Sequence, residues 1–136
     1  MHAPTVKTIL LLDDEPAVLQ IAAIILRATG QWNVLEARSL QEATEQTQSH
    51  VDLVIADLCV DEHGPAAVAA QVRALYPHVP VLFMSGYPQD HLVGDGLLDR
   101  GSAFLAKPFS PELLLRCVRN IMVAEITGPC RFRAAS

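Results

Sequence analysis

Cysteine is scarce in this chain, and what there is forms no pattern. Cys59, Cys117 and Cys130 are odd in number and widely spaced, with no CxxC pair, which argues against both a disulfide framework and a thiolate zinc site. Basic residues are in deficit as well: 10 Lys and Arg stand against 15 Asp and Glu, for a formal net charge of -5. The chain has no general attraction for nucleic acid or anionic membrane, and no basic patch of useful size offsets this, so direct contact with nucleic acid is not expected. Long apolar runs are missing. Ile9 to Leu12 and Leu53 to Ala56 fall far below a spanning length, and the N-terminus shows neither the basic region nor the hydrophobic segment of a secretory signal. A cytoplasmic chain without a membrane segment is the expectation. His2, His50, His63, His78 and His91 show no ligand spacing and read as ordinary surface or loop residues, with His63 of interest because it lies near Asp57. There is no internal repeat and no linker.

What remains is a chain able to fold alone. It has 136 residues, 51% of them hydrophobic and 18% charged, enough for one domain with a sizeable core. Short apolar runs rich in β-branched residues alternate with segments of helical period. Val6 to Leu12 reads as a buried strand ending on Asp13, Asp14 and Glu15; Pro16 then opens a helix in which Val18, Leu19, Ala22, Ile25, Leu26 and Thr29 recur at helical steps and Gly30 marks the stop. The second strand is Asn33 to Ala37. Ser39 with Glu42 forms a capping box for a polar helix to about Ser49. The third strand, Val51 to Ala56, ends on Asp57; a turn from Asp61 to Pro65 leads into a helix of small residues from Ala66 to about Leu75. Val79 to Met84 is a fourth strand that delivers Ser85 and Gly86, followed by a weakly patterned helical segment from about Gln89 to Asp99. The fifth strand, Ala103 to Ala106, runs into Lys107 and Pro108, and Ser110 caps a last helix with Pro111 at its first position. Strand-helix units in series with strands apolar throughout require right-handed crossovers and a parallel sheet covered on both faces. The fold class is α/β, doubly wound.

In such a sheet the carboxyl ends of the strands share one edge, where ligands bind. Asp13 and Asp14 arrive there after the first strand, Asp57 after the third, Ser85 after the fourth and Lys107 after the fifth. Three carboxylates held close repel one another and raise their own pKa values unless a cation sits among them. A hard divalent ion such as Mg2+ suits oxygen ligands and bridges to phosphate. Lysine adds a point charge for a phosphoryl oxygen and serine a hydrogen bond to another. Asp57 comes alone from the central strand and is the best nucleophile, while the adjacent Asp13 and Asp14 suit the metal; an aspartyl phosphate is an established covalent strategy.

On the motifs LLLDDE, VDLVIADL, VLFMSGYP and FLAKPF, in that order, the chain resembles a response-regulator receiver domain of two-component signalling over about residues 6 to 124. The resemblance implies a flavodoxin-like (βα)5 sandwich with strand order 2-1-3-4-5; because the apolar pattern stops from Thr127 to Ser136, a domain over residues 1 to 126 and a flexible tail from 127 to 136 are expected. It implies that Asp57 accepts a phosphoryl group from a phosphohistidine of a histidine kinase or histidine phosphotransfer protein. Asp13, Asp14, Asp57 and the backbone carbonyl of Cys59 would hold Mg2+, and Ser85 and Lys107 would bind the phosphoryl oxygens. Phe104 falls at the family's switch aromatic, which turns inward as the serine is drawn to the phosphate. The bond before Pro108 is a candidate cis peptide, and dimerisation through the fourth and fifth units is a further implication. SGYP is similar to receivers attached to hybrid histidine kinases. Two departures stand out. The stretch LCVDEHG lacks the family's proline after the acceptor aspartate and places Gly64 one residue early, which predicts a reshaped loop. Cys59 and Tyr87 occupy positions that tune phosphate lifetime, and the bulk of Tyr87 is expected to screen attacking water.

Each residue alone has a plainer reading. Asp13 and Asp14 could serve a helix dipole, Asp57 a turn, Ser85 another turn, Lys107 a solvated surface, Phe104 the core and Cys59 a small apolar filler. Their joint arrival at one edge favours the phosphoryl site. The rivals are a degenerate receiver used only for docking, a phosphatase with an aspartyl nucleophile, which wants a DxD motif, and a flavodoxin-like cofactor binder, which wants a phosphate loop where this chain has DDEP. Self-catalysed phosphorylation and dephosphorylation at Asp57 is expected, with no separate substrate turned over.

Overall fold

The computed structural model describes residues 6–46, 50–60, 64–86 and 103–127. Their strands are β1 (Lys7–Leu12), β2 (Trp32–Ala37), β3 (Leu53–Asp57), β4 (Val81–Ser85) and β5 (Ala103–Ala106), interspersed with α1 (Pro16–Ala28), α2 (Leu40–Gln46), α3 (Pro65–Leu75) and α4 (Pro111–Thr127). All strand pairs are parallel, in the order β2-β1-β3-β4-β5. The sheet is therefore that of a flavodoxin-like, doubly wound α/β fold. The segments Gln89 to Asp99 and Asp61 to His63, with Tyr87, Cys130 and the expected tail beyond Thr127, lie outside the described residues.

The alternation of side chains along each strand divides the core in two. On one face Ile9, Leu11, Leu53, Ile55, Leu82, Met84 and Leu105 pack against Leu19, Ala22, Ala23 and Leu26 of α1 and Leu114, Cys117, Val118 and Ile121 of α4. On the other Leu10, Leu12, Val54, Ala56, Phe83 and Phe104 meet Ala43 of α2 and Val68, Ala69 and Val72 of α3. Every residue of β3 is buried, as a strand covered on both faces must be. Burying each such Leu, Ile or Val is worth roughly 1.5–3 kcal/mol, so the central strand is firmly held.

Local chemistry sets the ends of the helices. Pro16 and Pro65 occupy first-turn positions, where the missing N–H leaves no partner wanting. Gly30, with φ of 68°, takes the left-handed turn that ends α1, and its N–H donates to the Arg27 carbonyl. Ser110 Oγ accepts from the Leu113 N–H at 3.1 Å. Ser39 Oγ likewise accepts from the Glu42 N–H at 3.1 Å, but the Glu42 carboxylate reaches back to the Arg38 N–H, one residue before the expected partner. The capping box is thus displaced by one donor. The expected strand ends also shift slightly: β4 starts at Val81 rather than Val79 and β3 at Leu53 rather than Val51, while Asp57 and Ser85 are the last residues of their strands.

Candidate functional site

The chain leaves β1 at Leu12 and turns at once. The Asp13 N–H donates to the Ala37 carbonyl of β2, and Asp13 Oδ1 accepts from the Glu15 N–H at 2.9 Å. This aspartate-centred turn, a local habit of Asp, aims the second oxygen of a buried carboxylate across the edge of the sheet. The sequence carried that signal in the DDEP run, although it was read there only as metal and dipole chemistry. Asp14 is exposed beside it.

Asp57 is 2% exposed at the end of β3. Its Oδ1 accepts from the Cys59 N–H at 3.2 Å and its backbone carbonyl accepts from the Val60 N–H, so a tight turn after the strand holds the carboxylate. The Cys59 N–H is a contact to the Asp57 carboxylate that side-chain reasoning missed. One oxygen from each of Asp13, Asp14 and Asp57 lies within 4.8 Å of the others. The sheet has brought together three acids from two strands.

Lys107 reaches in from the end of β5. Its Nζ donates to Asp13 Oδ2 at 3.0 Å and stands 3.4 Å from Asp57 Oδ2, and its backbone N–H donates to the Ser85 carbonyl. The Lys107-Pro108 peptide is cis, as anticipated. Sequence reasoning directed Lys107 only toward a phosphoryl oxygen; here it also ties β5 to β1 through Asp13. Ser85 is fully buried at the end of β4, one position beyond Met84, which pairs with Asp57. Phe104 pairs with Phe83 and is fully buried in the core on the α3 face. By strand alternation Ser85 falls on that same face.

These distances have electrostatic consequences. Burial, then the neighbouring Asp13 charge, pushes the Asp57 carboxyl up to about 6, against the opposing pull of Lys107 and the Cys59 N–H. Burial also works against the Lys107 ammonium, but its bond to Asp13 and the charges of Asp57 and Asp13 prevail, so its pKa rises on balance. It remains a cation. One ammonium shared by two buried carboxylates leaves negative charge uncompensated, and among the described residues Asp13, Asp14 and Asp57 each offer a carboxylate oxygen there. A hard divalent ion such as Mg2+ fits this set. Cys59, expected to fill apolar space, is exposed instead. Partial desolvation and then the Asp57 charge push the thiol up, which keeps it protonated and a weak nucleophile. Tyr87 and His63, both noted in the sequence for their closeness to the site, lie outside the described residues.

Known proteins resemble this arrangement over most of the chain. It is 31% identical over 118 residues to the sensor kinase CckA of Brucella abortus, a match covering 85% of this chain and 12% of that protein. It is 31% identical over 123 residues to the response regulator Rre1 of Synechocystis, covering 87% of this chain and 52% of that one. The chain therefore spans at most about half the length of these two relatives. The crystal structure of the receiver domain from the hybrid histidine kinase CckA matches with a TM-score of 0.66 at 31% identity, over 85% of this chain and 98% of that one. A CheY-like receiver domain protein from Methanospirillum hungatei matches with a TM-score of 0.74 at 20% identity, over 90% of this chain and 98% of that one, and bears on the fold alone. The family model described as response regulator receiver domain matches residues 9–119. With the parallel sheet in the order β2-β1-β3-β4-β5 and an acidic cluster at its carboxyl edge, the chain belongs to the response regulator receiver domain family.

Proposed function

We propose that the chain is the phosphoacceptor of a two-component phosphorelay, in which Asp57 takes a phosphoryl group from a phosphohistidine and the transfer changes the surface offered to partners. The observation that carries this reading is the position of Asp57: buried at the end of the central strand, within ligand distance of Asp13 and Asp14, with the Lys107 ammonium 3.4 Å from its second oxygen. The donor is a histidine kinase or a histidine phosphotransfer protein, a choice supported by the likeness to a receiver carried by a hybrid histidine kinase.

Asp57 Oδ2 attacks phosphorus, the P–N bond to the donor imidazole breaks, and the imidazole nitrogen keeps the electron pair. Phosphoryl transfer of this kind asks the protein for in-line positioning and charge neutralisation rather than for covalent assistance. The turn through the Cys59 N–H holds Oδ1, leaving Oδ2 as the reacting oxygen. Lys107 neutralises charge on a phosphoryl oxygen and, while bonded to Asp13, keeps its ammonium at the edge of the sheet. Ser85 supplies a hydroxyl to another oxygen, and Phe104 lies on the same face of the sheet. Asp13, Asp14 and Asp57, with the Cys59 carbonyl, would hold Mg2+, which when bound supplies further charge neutralisation at the phosphoryl oxygens. Return to the free carboxylate is hydrolysis: water adds to phosphorus and the P–O bond to Asp57 breaks, releasing phosphate.

The test is intact mass after incubation with magnesium and acetyl phosphate. One added phosphoryl group is expected, lost in Asp57→Asn and abolished by chelating the metal. No adduct from acetyl phosphate, none from a phosphorylated histidine phosphotransfer protein and no magnesium binding would overturn the reading in favour of a docking module.

A further inference from the structure

Phe83 and Phe104 stand side by side on β4 and β5, both essentially inaccessible and both in the core on the α3 face. Among the described residues a charged side chain lies against this aromatic pair. Arg73, near the end of α3, places its guanidinium over the Phe83 ring with Cζ 5.3 Å from the centroid, within the range of a cation–π contact. Arg73 is itself exposed, so a surface cation on one helix rests on the ring that abuts Phe104.

Close-packed interiors have discrete arrangements rather than continuous ones. A Phe104 ring that leaves its buried position opens space beside Phe83, and Phe83 cannot relax into it without changing its stacking with Arg73. We propose that Arg73 is a positioning residue: through Phe83 it biases Phe104 toward its buried position and thereby couples the state of the phosphoryl site to the outer face of α3. The proposal rests on the reading of Phe104 as the switch aromatic of Asp57 phosphorylation. Coupling between two sites is reciprocal. If the stack favours buried Phe104 and an occupied phosphoryl site does the same, removing the stack weakens binding at the site.

The probe is beryllofluoride, a phosphoryl mimic that binds the acceptor carboxylate, titrated with magnesium into the full chain and followed by NMR. Arg73→Ala is expected to weaken apparent affinity by about two- to five-fold, the range that a partly exposed cation–π contact supports, while Arg73→Lys retains most of it. In a Phe104→Leu background, chosen because it keeps the core filled, Arg73→Ala should have no further effect. Unchanged affinity in Arg73→Ala overturns the proposal, as does an equal loss with and without Phe104, since the effect would then not run through that ring. Failure of the wild-type chain to bind beryllofluoride or to gain a phosphoryl group by mass would sink the phosphoacceptor reading itself, and this proposal with it.

Discussion

Asp52 and Asp57 flank the same strand and meet opposite surroundings. At the amino end of the sheet, Asp52 Oδ2 accepts from the Thr8 N–H at 2.8 Å and Oδ1 lies 2.7 Å from His50 Nε2, while the Asp52 N–H donates to the Thr8 carbonyl. Both of its oxygens are matched, and the carboxylate extends the β1–β3 ladder by an additional link. At the carboxyl end, Asp57 is more deeply buried, faces Asp13, and shares a single ammonium with it. One aspartate serves the fold; the other is held against its own electrostatic preference. Unfavourable charge at a strand end is stored where it can be relieved by a bound cation or a transferred group.

The strongest way to break the comparison is to neutralise Asp57. Its folded pKa of about 6 lies above the ordinary 3.8, so between these values the folded chain binds more protons than the unfolded one, and stability falls as pH rises through that window. Without metal, the ionised carboxylate costs up to about 3 kcal/mol at neutral pH. Asp57→Asn should recover much of that in urea unfolding with EDTA and flatten the slope between pH 4 and 6, while losing phosphorylation entirely. A less stable Asn variant would show that the site is not strained. Saturating magnesium should flatten the wild-type slope as well.

Asp52→Ala should act in the reverse sense. Loss of a charged acceptor from the Thr8 N–H costs about 2 kcal/mol, read as a lower urea midpoint, and phosphorylation by acetyl phosphate should proceed as in the wild type. Lys107→Met sharpens the contrast within the site: it removes the cation that holds the Asp57 carboxyl down, so the Asp57 titration, followed by carboxyl-carbon NMR, should move above about 6. A downward move would contradict the assigned cause. The smallest effect belongs to the surface. The Arg27–Glu36 pair at 2.6 Å is substantially exposed on both sides, and Glu36→Gln should change stability by only about 0.5 kcal/mol or less, partly because Arg27 keeps its bond to the Val34 carbonyl.

Most of the described fold is legible in the sequence. The β5 range was read without error, and α1, α3 and α4 began at or beside the prolines that announce them. The misplaced starts of β3 and β4 have a common cause: Val51 and Val79 are apolar and buried or half-buried, yet they precede the point where ladder pairing begins, and hydrophobicity alone does not register pairing. The capping box kept its Ser39 half and shifted the return bond to the Arg38 N–H, since a long Glu side chain can choose between adjacent N–H donors.

Among the described residues, near-neighbour patterns alone set the strands and helices, the two-faced core and the acids, serine and lysine at the strand ends, because caps and apolar periods are encoded locally. The tertiary structure alone decided that Lys107 bonds Asp13 from 94 residues away, that Cys59 faces solvent while its N–H holds Asp57, and that Arg73 covers Phe83. Those contacts depend on which strands lie side by side and how deeply each end is buried, and charge in a low-dielectric edge responds to ångströms that no local pattern records.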